Sequence, residues 1–289
     1  MSDFVPSGHF YSPVINIDDV RIAESRIWPK HPVVLGIDFN NPSHEHLLTN
    51  IFPQYLKDYD YPLRPADRNH DYDFYHNNPQ FSWLDSKALF VMLRMLRPKR
   101  MIEIGCGFSS LLTADVNRRF LDNRLVFTCI DPYPSDVLFK EVPGIYTLID
   151  RKVEDVPLSL FESLTYGDIL FIDSSHVSKT GSDVNHIYFE ILPRLPLGVI
   201  IHIHDIFLPA DYPKEWAVNE GRSWNEQYLV RALLMFSNAF EVIFGCSYAA
   251  YFAYGNLVRK LLGGELYGGG SFWIKKSLQN SVSKSVHAY

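Results

Sequence analysis

Two histidines and an aspartate interrupt the stretch IIHIHDIF, in which five of eight residues are large and apolar. Titratable side chains are costly inside a buried strand unless they have hydrogen-bonding partners or a chemical role. Buried polar groups usually have structural partners, so we expect His202, the deeper of the two, to be a hydrogen-bonded interior residue. His204 and Asp205 stand at the end of the stretch, where a side chain can reach a ligand.

A second pair of reactive side chains, Asp173 and His176, follows the apolar stretch DILFID. Three uses stay open for these groups. Asp173, His204 and Asp205 can form a magnesium or manganese site, or a base among Asp173, His176, His204 and Asp205 can act without a metal. Two histidines with one carboxylate, His9 included among the candidates, can also hold non-haem iron for an oxygenase or hydrolase reaction.

The stretch EIGCGFSS contains a different kind of chemistry, a glycine-rich turn. Gly105 and Gly107 permit a tight turn and let a ligand approach the backbone. Ser110 stands where the dinucleotide-binding pattern has its third glycine, and the absence of a lysine after the glycines excludes a P-loop. Asp131 follows Gly107 by 24 residues, close to the spacing at which an acid at the end of the second strand reaches ribose hydroxyls.

Seven short apolar runs separated by helical patterns must position these residues. The runs are MIEI (101–104), LVFTCI (125–130), IYTLI (145–149), DILFID (168–173), LGVIIHIH (197–204), FEVIFGC (240–246) and SFWIKK (271–276). This alternation predicts an α/β fold with a doubly wound, mostly parallel, seven-stranded sheet covered on both faces. Ligands bind such a sheet at the carboxyl ends of its strands, where all the polar residues above are expected.

The chain divides by composition into three parts. Residues 1–80 hold nine of the 18 prolines and six of the 11 histidines, which predicts an irregular extension packed on the main domain. Residues 81–277 hold the regular pattern and form the predicted Rossmann-like domain, and residues 278–289 read as a polar tail. The aromatic-rich stretch 205–224 is long for a connection between strand and helix, which is typical of a lid or a binding wall.

Composition narrows the function classes. The chain has 289 residues, 47% apolar, with a net charge of −6 and no basic run, so we expect neither a nucleic-acid nor a membrane partner. Three scattered cysteines form neither a disulfide framework nor a zinc pattern, and a cytoplasmic location is expected. The expected partners are a small-molecule acceptor and, in a homodimer, a second copy of the chain.

Together, EIGCGFSS, FTCIDPYP, DILFIDSSHVSKTGSDVNHIYFEILPRL and GVIIHIHDIFLPADYPKEW resemble the class I, Rossmann-like S-adenosylmethionine-dependent methyltransferases, in particular an uncharacterised bacterial branch. The resemblance covers residues 80–250 and, through PSGHFYSP, the N-terminal extension. It implies O-methylation of a small molecule such as a sugar or a natural-product intermediate. A non-catalytic binding protein that keeps the fold is the third alternative, beside the methyltransferase and the iron enzyme.

The resemblance also implies roles for individual residues. The cofactor-binding set that it implies is Glu103, Gly105, Gly107, Ser109 and Asp131, with residues 153–155 bordering the adenine. Small O-methyltransferases of this fold bind a divalent metal at the ends of strands four and five, which here implies Asp173, His204 and Asp205. The family has an acid with an amide, or two acids, at the second of these positions, so the histidine is a departure that leaves magnesium, manganese and iron all open.

Overall fold

A seven-stranded sheet forms the centre of the computed structural model, which describes residues 4–33 and 35–277; the polar tail predicted at 278–289 lies outside them. The strand order is β3-β2-β1-β4-β5-β7-β6, and only β7 runs antiparallel to its neighbours. The strands are β1 (Arg100–Ile104), β2 (Val126–Ile130), β3 (Thr147–Ile149), β4 (Ile169–Ile172), β5 (Ile200–Ile203), β6 (Phe240–Gly245) and β7 (Phe272–Lys276). All seven correspond to apolar runs of the sequence, so the predicted fold class is confirmed.

Twelve helices surround the sheet in the described part of the chain. They are α1 (Ile17–Ile22), α2 (Glu24–Ile27), α3 (Asn41–His46), α4 (Phe52–Leu56), α5 (Trp83–Leu96), α6 (Phe108–Phe120), α7 (Asp136–Phe139), α8 (Leu158–Glu162), α9 (Asp183–His186), α10 (Leu192–Arg194), α11 (Glu226–Leu234) and α12 (Gly255–Leu261). The helix predicted after the fourth strand is divided, because a π-helical turn at Ile187–Ile191 separates α9 from α10. None of these helices has the length and apolar content that a membrane crossing needs.

Burial explains why the central strands are almost wholly apolar. Every residue of β4 and β5 is buried, because helices cover both faces of the sheet. Two apolar clusters result, one on each face: Phe171 belongs to the first and its strand neighbour Ile172 to the second. Polar side chains therefore gather where the strands end, which is where the candidate site lies.

The first 80 residues contribute to the core on one face of the sheet. Leu47, Leu48 and Phe52 are buried in the same apolar cluster as Phe244 of β6. His44 is fully buried beside them, and its Nε2 accepts a hydrogen bond from the Gly245 backbone N–H at 2.9 Å. Four short α-helices occur in this stretch, for which the sequence predicted an irregular extension, while its division from the main domain stays a prediction.

Candidate functional site

A single cavity of about 1010 Å³ opens at the carboxyl ends of the parallel strands. Its wall contains the glycine turn and Asp131 on one side, and Asp173, His176, His204 and Asp205 on the other. Drug-sized ligands occupy roughly 300–1,000 Å³, so this volume has room for a cofactor and a small second molecule. Both groups of residues that the sequence singled out therefore share one cleft.

The glycine turn is built by close backbone contact between neighbouring strands. Gly105 has a φ of +79°, and a Cβ atom added there would lie 1.9 Å from the backbone carbonyl oxygen of Asp173. Only glycine fits this position, because the turn after β1 lies against the end of β4. Gly107 borders open space, with its nearest atom, Oε1 of Gln80, at 3.8 Å. The turn thus presents bare backbone to the cavity.

Asp131 holds the turn from the end of β2. Its Oδ2 accepts a hydrogen bond from the Cys106 backbone N–H at 2.8 Å, and its Oδ1 accepts one from the Tyr133 N–H at 2.7 Å. Each carboxylate oxygen has further lone-pair capacity, and Asp131 lines the cavity. It is therefore placed both to shape the turn and to accept hydrogen bonds from a ligand's hydroxyl groups.

Glu103 occupies a different place from the one that the resemblance implied. It is completely buried behind the turn, outside the cavity wall, where the hydroxyl of Ser109 donates a hydrogen bond to its Oε1. Burial raises the pKa of Glu103 to about 8, so the protonated form prevails at neutral pH. Ser109 does line the cavity. Glu103 thus supports the turn from below, through Ser109.

The other side of the cavity, here called the rim, contains Asp173, His176, His204 and Asp205. Three of these residues form a compact group of potential ligand atoms. One atom each from Asp173, His176 and Asp205 lies within 4.8 Å of the others. His176 Nε2 is 3.4 Å from Asp173 Oδ1 and 3.5 Å from Asp205 Oδ2. The carboxylate of Asp173 is one-third exposed, which makes it the member of this group most open to the cavity. The metal ligands implied from the sequence were Asp173, His204 and Asp205, so this group differs in containing His176 in place of His204.

Unusual backbone geometry aims two of these side chains. Asp205 has a φ of +57° and His176 a φ of +61°, which side-chain-bearing residues seldom adopt. Because β5 ends at Ile203, this turn directs Asp205 toward the histidines, although strict strand alternation would turn it away. Strained residues of this kind cluster at functional sites, which supports a chemical role for the rim.

His204 lies between the rim and a carboxylate that the sequence did not reveal. Its Nδ1 is 3.5 Å from Asp173 Oδ1 and 3.6 Å from Asp205 Oδ1, and its Nε2 is 3.6 Å from Asp85 Oδ2. Asp85 is buried in the first turn of α5 and accepts hydrogen bonds from the backbone N–H groups of Gly270 and Ser271. Acids are common in first helical turns, so no sequence signal distinguished Asp85.

Glu226 is the second carboxylate that sequence reasoning missed. It is the first residue of α11, is fully buried, and accepts a hydrogen bond from His176 Nδ1 at 2.8 Å. The rim thus brings four carboxylates, those of Asp85, Asp173, Asp205 and Glu226, around two imidazoles. Even with both histidines protonated, negative charge is in excess there, which favours a bound cation.

Mutual interaction sets the protonation of the rim. Burial alone would raise the pKa of Asp173, but the imidazoles of His204 and His176 hold it well below its usual range. Burial would lower the pKa of His176, but contacts with Asp173 and Glu226 raise it to about 10. The carboxylates of Asp205 and Asp173 likewise overcome burial and raise the pKa of His204 well above its usual value. The rim is therefore a charged cluster.

His202 is the hydrogen-bonded interior residue that was expected. It is fully buried, its Nε2 lies 2.9 Å from the hydroxyl oxygen of Ser271, and its ring stacks on Phe171 with centroids 3.7 Å apart. Burial lowers the pKa of His202 well below its usual value, so it stays neutral. The structural interpretation of His202 is confirmed.

Two other regions proposed from the sequence lie outside the cavity wall. His9 contacts Phe10 and Tyr11 near the start of the chain, with ring centroids 4.9 and 5.6 Å apart. Val153–Asp155 forms a short 3₁₀ helix after β3. The long 205–224 connection does form part of the wall, as predicted, through Phe207, Pro213, Trp216, Glu220, Arg222 and Trp224.

The residues present fit both groups that the resemblance implied. The turn offers backbone that no Cβ covers, beside an acid with acceptor capacity, which suits the ribose and methionine parts of S-adenosylmethionine. The rim offers one imidazole and two carboxylates at ligand spacing, which suits a divalent cation. Non-haem iron enzymes use the reverse ratio, two histidines and one carboxylate, so this group does not favour the iron alternative.

Comparison with known proteins bears on the same region. Residues 102–206, which contain the turn, Asp131 and the rim, match a family described as a methyltransferase domain. An uncharacterised protein of Archaeoglobus fulgidus is 42% identical over 164 residues, which span 55% of this chain and 73% of that protein.

Solved structures with a similar arrangement include two methyltransferases. The Podospora anserina methyltransferase PaMTH1, bound to S-adenosylhomocysteine, is 15% identical with a TM-score of 0.42 and covers 96% of this chain and 100% of its own. The O-methyltransferase TomG from Streptomyces achromogenes, in complex with S-adenosylmethionine, is 12% identical with a TM-score of 0.41 and covers 90% and 96%. At TM-scores below 0.5 this likeness extends to neither substrate nor mechanism.

Three observations agree with a methyltransferase. They are the sheet order, the glycine turn braced by an acid at the end of β2, and the match of residues 102–206 to a methyltransferase domain. The iron enzyme and the non-catalytic binding protein lose their support accordingly. The chain has the sheet order of a class I methyltransferase, and its residues 102–206 belong to a methyltransferase-domain family.

Proposed function

We propose that this enzyme transfers the methyl group of S-adenosylmethionine to a hydroxyl oxygen of a small molecule, such as a sugar or a natural-product intermediate. One observation carries the proposal: the glycine turn with Asp131 and the charged rim line the same cavity of about 1010 Å³. A cofactor on the turn and an acceptor at the rim then lie next to each other, as a direct displacement requires.

On this proposal the turn binds the cofactor. The exposed backbone of Gly105 and Gly107 receives the methionine part, and the carboxylate of Asp131 accepts hydrogen bonds from the ribose hydroxyls. The support is that Gly105, Gly107 and Asp131 all lie in the cavity wall, where Gly107 borders open space. Ser109 lies in the same wall, while Glu103 acts indirectly by holding Ser109.

The rim prepares the acceptor. A lone pair of the acceptor oxygen attacks the methyl carbon, the new C–O bond forms as the C–S bond breaks, and S-adenosylhomocysteine leaves. The hydroxyl proton passes to the carboxylate of Asp205, whose pKa is raised by burial and whose Oδ2 lies 3.5 Å from Nε2 of His176. A divalent cation, when bound, would be held by Asp173 and Asp205 and would supply Lewis acidity that lowers the pKa of the hydroxyl.

Aromatic side chains enclose the acceptor end of the cavity. Trp216 and Trp224 contact each other with ring centroids 5.3 Å apart, and the guanidinium of Arg222 lies 4.2 and 4.5 Å from their ring centroids. Such a wall excludes water and offers flat surfaces to a ring-shaped acceptor. We place the reaction in the cytoplasm, because the three cysteines are free, as a reducing compartment favours.

A methyl-transfer assay tests this function. Purified enzyme with S-adenosylmethionine labelled in its methyl group is offered sugars, catechols and other small hydroxyl compounds, with and without Mn²⁺ or Mg²⁺. We expect label in at least one acceptor, and its loss in Asp205→Asn. The proposal fails if no acceptor gains label above the Asp205→Asn background, or if calorimetry finds no S-adenosylmethionine binding under any metal condition.

A further inference from the structure

The side chain of Glu226 holds the segment that carries His176. Its Oε2 accepts a hydrogen bond from His176 Nδ1 at 2.8 Å and a second from the hydroxyl of Ser174 at 2.7 Å. Glu226 is wholly buried, so these contacts are shielded from water. A buried carboxylate with two directed hydrogen bonds fixes both the position and the rotation of the imidazole.

The backbone around Glu226 fixes the same residue from the other side. The N–H groups of Asn225 and Glu226 both donate to the carbonyl oxygen of His176, at 3.0 and 3.2 Å. The ring of Trp224 covers the imidazole, with ring centroids 4.4 Å apart. His176, whose φ is +61°, is therefore held through its side chain and its backbone by the start of α11.

This arrangement decides which ring nitrogen faces the cavity. Nδ1 donates its proton to the Glu226 carboxylate, and the second proton of the imidazolium, on Nε2, is the one that a bound cation displaces. Nε2 is left facing the oxygens of Asp173 and Asp205, 3.4 and 3.5 Å away. A histidine that ligates a metal through one nitrogen usually donates its other N–H to a carboxylate of this kind.

We propose that Asp173, His176 and Asp205 form a divalent-cation site in which Nε2 of His176 is a metal ligand and Glu226 is its positioning residue. The ligand atoms lie within 4.8 Å of one another, and four carboxylates around two imidazoles leave an excess of negative charge for a cation to neutralise. The inference deepens the proposed function and rests on it for the role of this rim in methyl transfer.

The nitrogen ligand defines the class of ion. Magnesium prefers oxygen ligands and water, whereas imidazole suits the divalent transition metals. With one nitrogen and two carboxylate oxygens, the site is matched to a manganese-like or cobalt-like ion. We therefore expect Mn²⁺ and Co²⁺ to bind at least about tenfold more tightly than Mg²⁺.

Calorimetry on chelator-treated full-length protein tests the selectivity and the role of Glu226. MnCl₂ and MgCl₂ are titrated separately into wild type, Glu226→Gln and the control Glu190→Gln, which removes a half-buried carboxylate paired with Arg194. We expect one Mn²⁺ per wild-type chain, affinity reduced about 10- to 100-fold in Glu226→Gln, and no change in Glu190→Gln. Equal effects of the two substitutions, or no Mn²⁺ binding, overturn the inference.

Pulsed electron paramagnetic resonance on the Mn²⁺ complex tests the ligand itself, and it needs no substitution at the buried Glu226. We expect coupling to a directly bound imidazole ¹⁴N in wild type, absent in His176→Gln and retained in His204→Gln. A bound ion without ¹⁴N coupling, or coupling that disappears only in His204→Gln, contradicts the assignment.

The two proposals fail separately. Mn²⁺ ligation by His176 in an enzyme that methylates no acceptor leaves the site intact and removes the proposed function. Methyl transfer that persists after chelation, with no Mn²⁺ bound, leaves the function intact and removes the site.

Discussion

The glycine turn and the rim face each other across one cavity, yet they are assembled in opposite ways. The turn is a continuous stretch, Gly105 to Gly107, braced by one acid from the adjacent strand. The rim takes side chains from the ends of β4 and β5 and from the first turns of α5 and α11, which are far apart in the sequence. A cofactor shared by many enzymes needs only the first kind of assembly, whereas positioning an acceptor requires the second.

The two regions also shift the pKa values of two of their acids, Glu103 and Asp173, in opposite directions. Behind the turn, burial raises the pKa of Glu103 to about 8, and the acid serves as a neutral support. At the rim, neighbouring imidazoles hold the pKa of Asp173 well below its usual range, so the acid stays charged. The charge that the reaction uses is thus concentrated on one side of the cavity.

The largest effect is expected from removing rim charge. Asp205→Asn keeps the size of the side chain but loses a carboxylate, and we expect kcat/KM to fall by about 10³-fold or more. Affinity for S-adenosylmethionine should change less than about threefold, because the turn is untouched. Kinetics combined with calorimetry checks both values, with the exposed Asp122→Asn as the charge-matched control. Parallel loss of cofactor affinity would show that the regions are not separable.

A second substitution tests the contact between the glycine turn and the rim. Gly105→Ala places a Cβ 1.9 Å from the backbone oxygen of Asp173, in addition to backbone strain at a φ of +79°. Gly167→Ala is the matched control, because its φ is +84° and nothing lies within 4 Å of the new atom. The backbone strain is common to both variants, so their difference reports the clash, and we expect Gly105→Ala to lower the free energy of unfolding by about 1–3 kcal/mol more than the control does. Equal losses in urea titrations would refute the contact.

The pH dependence of stability sharpens the contrast between the two kinds of acid. A carboxyl group whose pKa rises from 4.5 unfolded to about 8 folded binds more protons in the folded state between those values. Its contribution to stability is therefore complete below pH 4.5 and disappears as pH rises through 8. Glu103→Gln mimics the protonated acid, and we expect it to remove a decline of about 5 kcal/mol across this window. If the pH profile of urea unfolding is unchanged in this variant, a group other than Glu103 causes the decline.

The smallest of these effects concerns the ribose contact. Asp131→Asn keeps an oxygen that can accept the Cys106 N–H but loses the charge that strengthens hydrogen bonds to ligand hydroxyls. A hydrogen bond to a charged group contributes about 1.5–3 kcal/mol, so S-adenosylmethionine affinity should fall roughly 10- to 100-fold. Calorimetry measures this directly. Unchanged affinity together with lost turnover would move Asp131 to the acceptor side.

Local patterns in the sequence predicted most of the fold and about half of the site. Continuous apolar runs indicate buried parallel strands, and polar residues directly after them mark the carboxyl rim. That reasoning located Gly105, Asp131 and Asp173 correctly around one cavity. Each of these residues depends on its own strand for its position, which is why neighbouring residues in the sequence were sufficient.

The remaining features depend on contacts between distant segments. Glu226 and His176 are 50 residues apart, and an acid that opens a helix has an ordinary explanation in helix capping and the helix dipole. Asp205 required a left-handed turn that strand periodicity does not reveal, and Glu103 required knowledge of what covers it. The sequence implied His204 as the histidine of the metal-binding group, whereas the structure has His176 there, because these same tertiary contacts position His176.

A crystal structure of the enzyme with S-adenosylhomocysteine and Mn²⁺, with the ion located by anomalous scattering, tests the shared cavity most directly. We expect the ribose on Asp131, the amino-acid part over Gly105 and Gly107, and the ion in contact with Asp173, His176 and Asp205. A cofactor bound away from the glycine turn, or an ion on a surface that does not border the cofactor, would contradict the account.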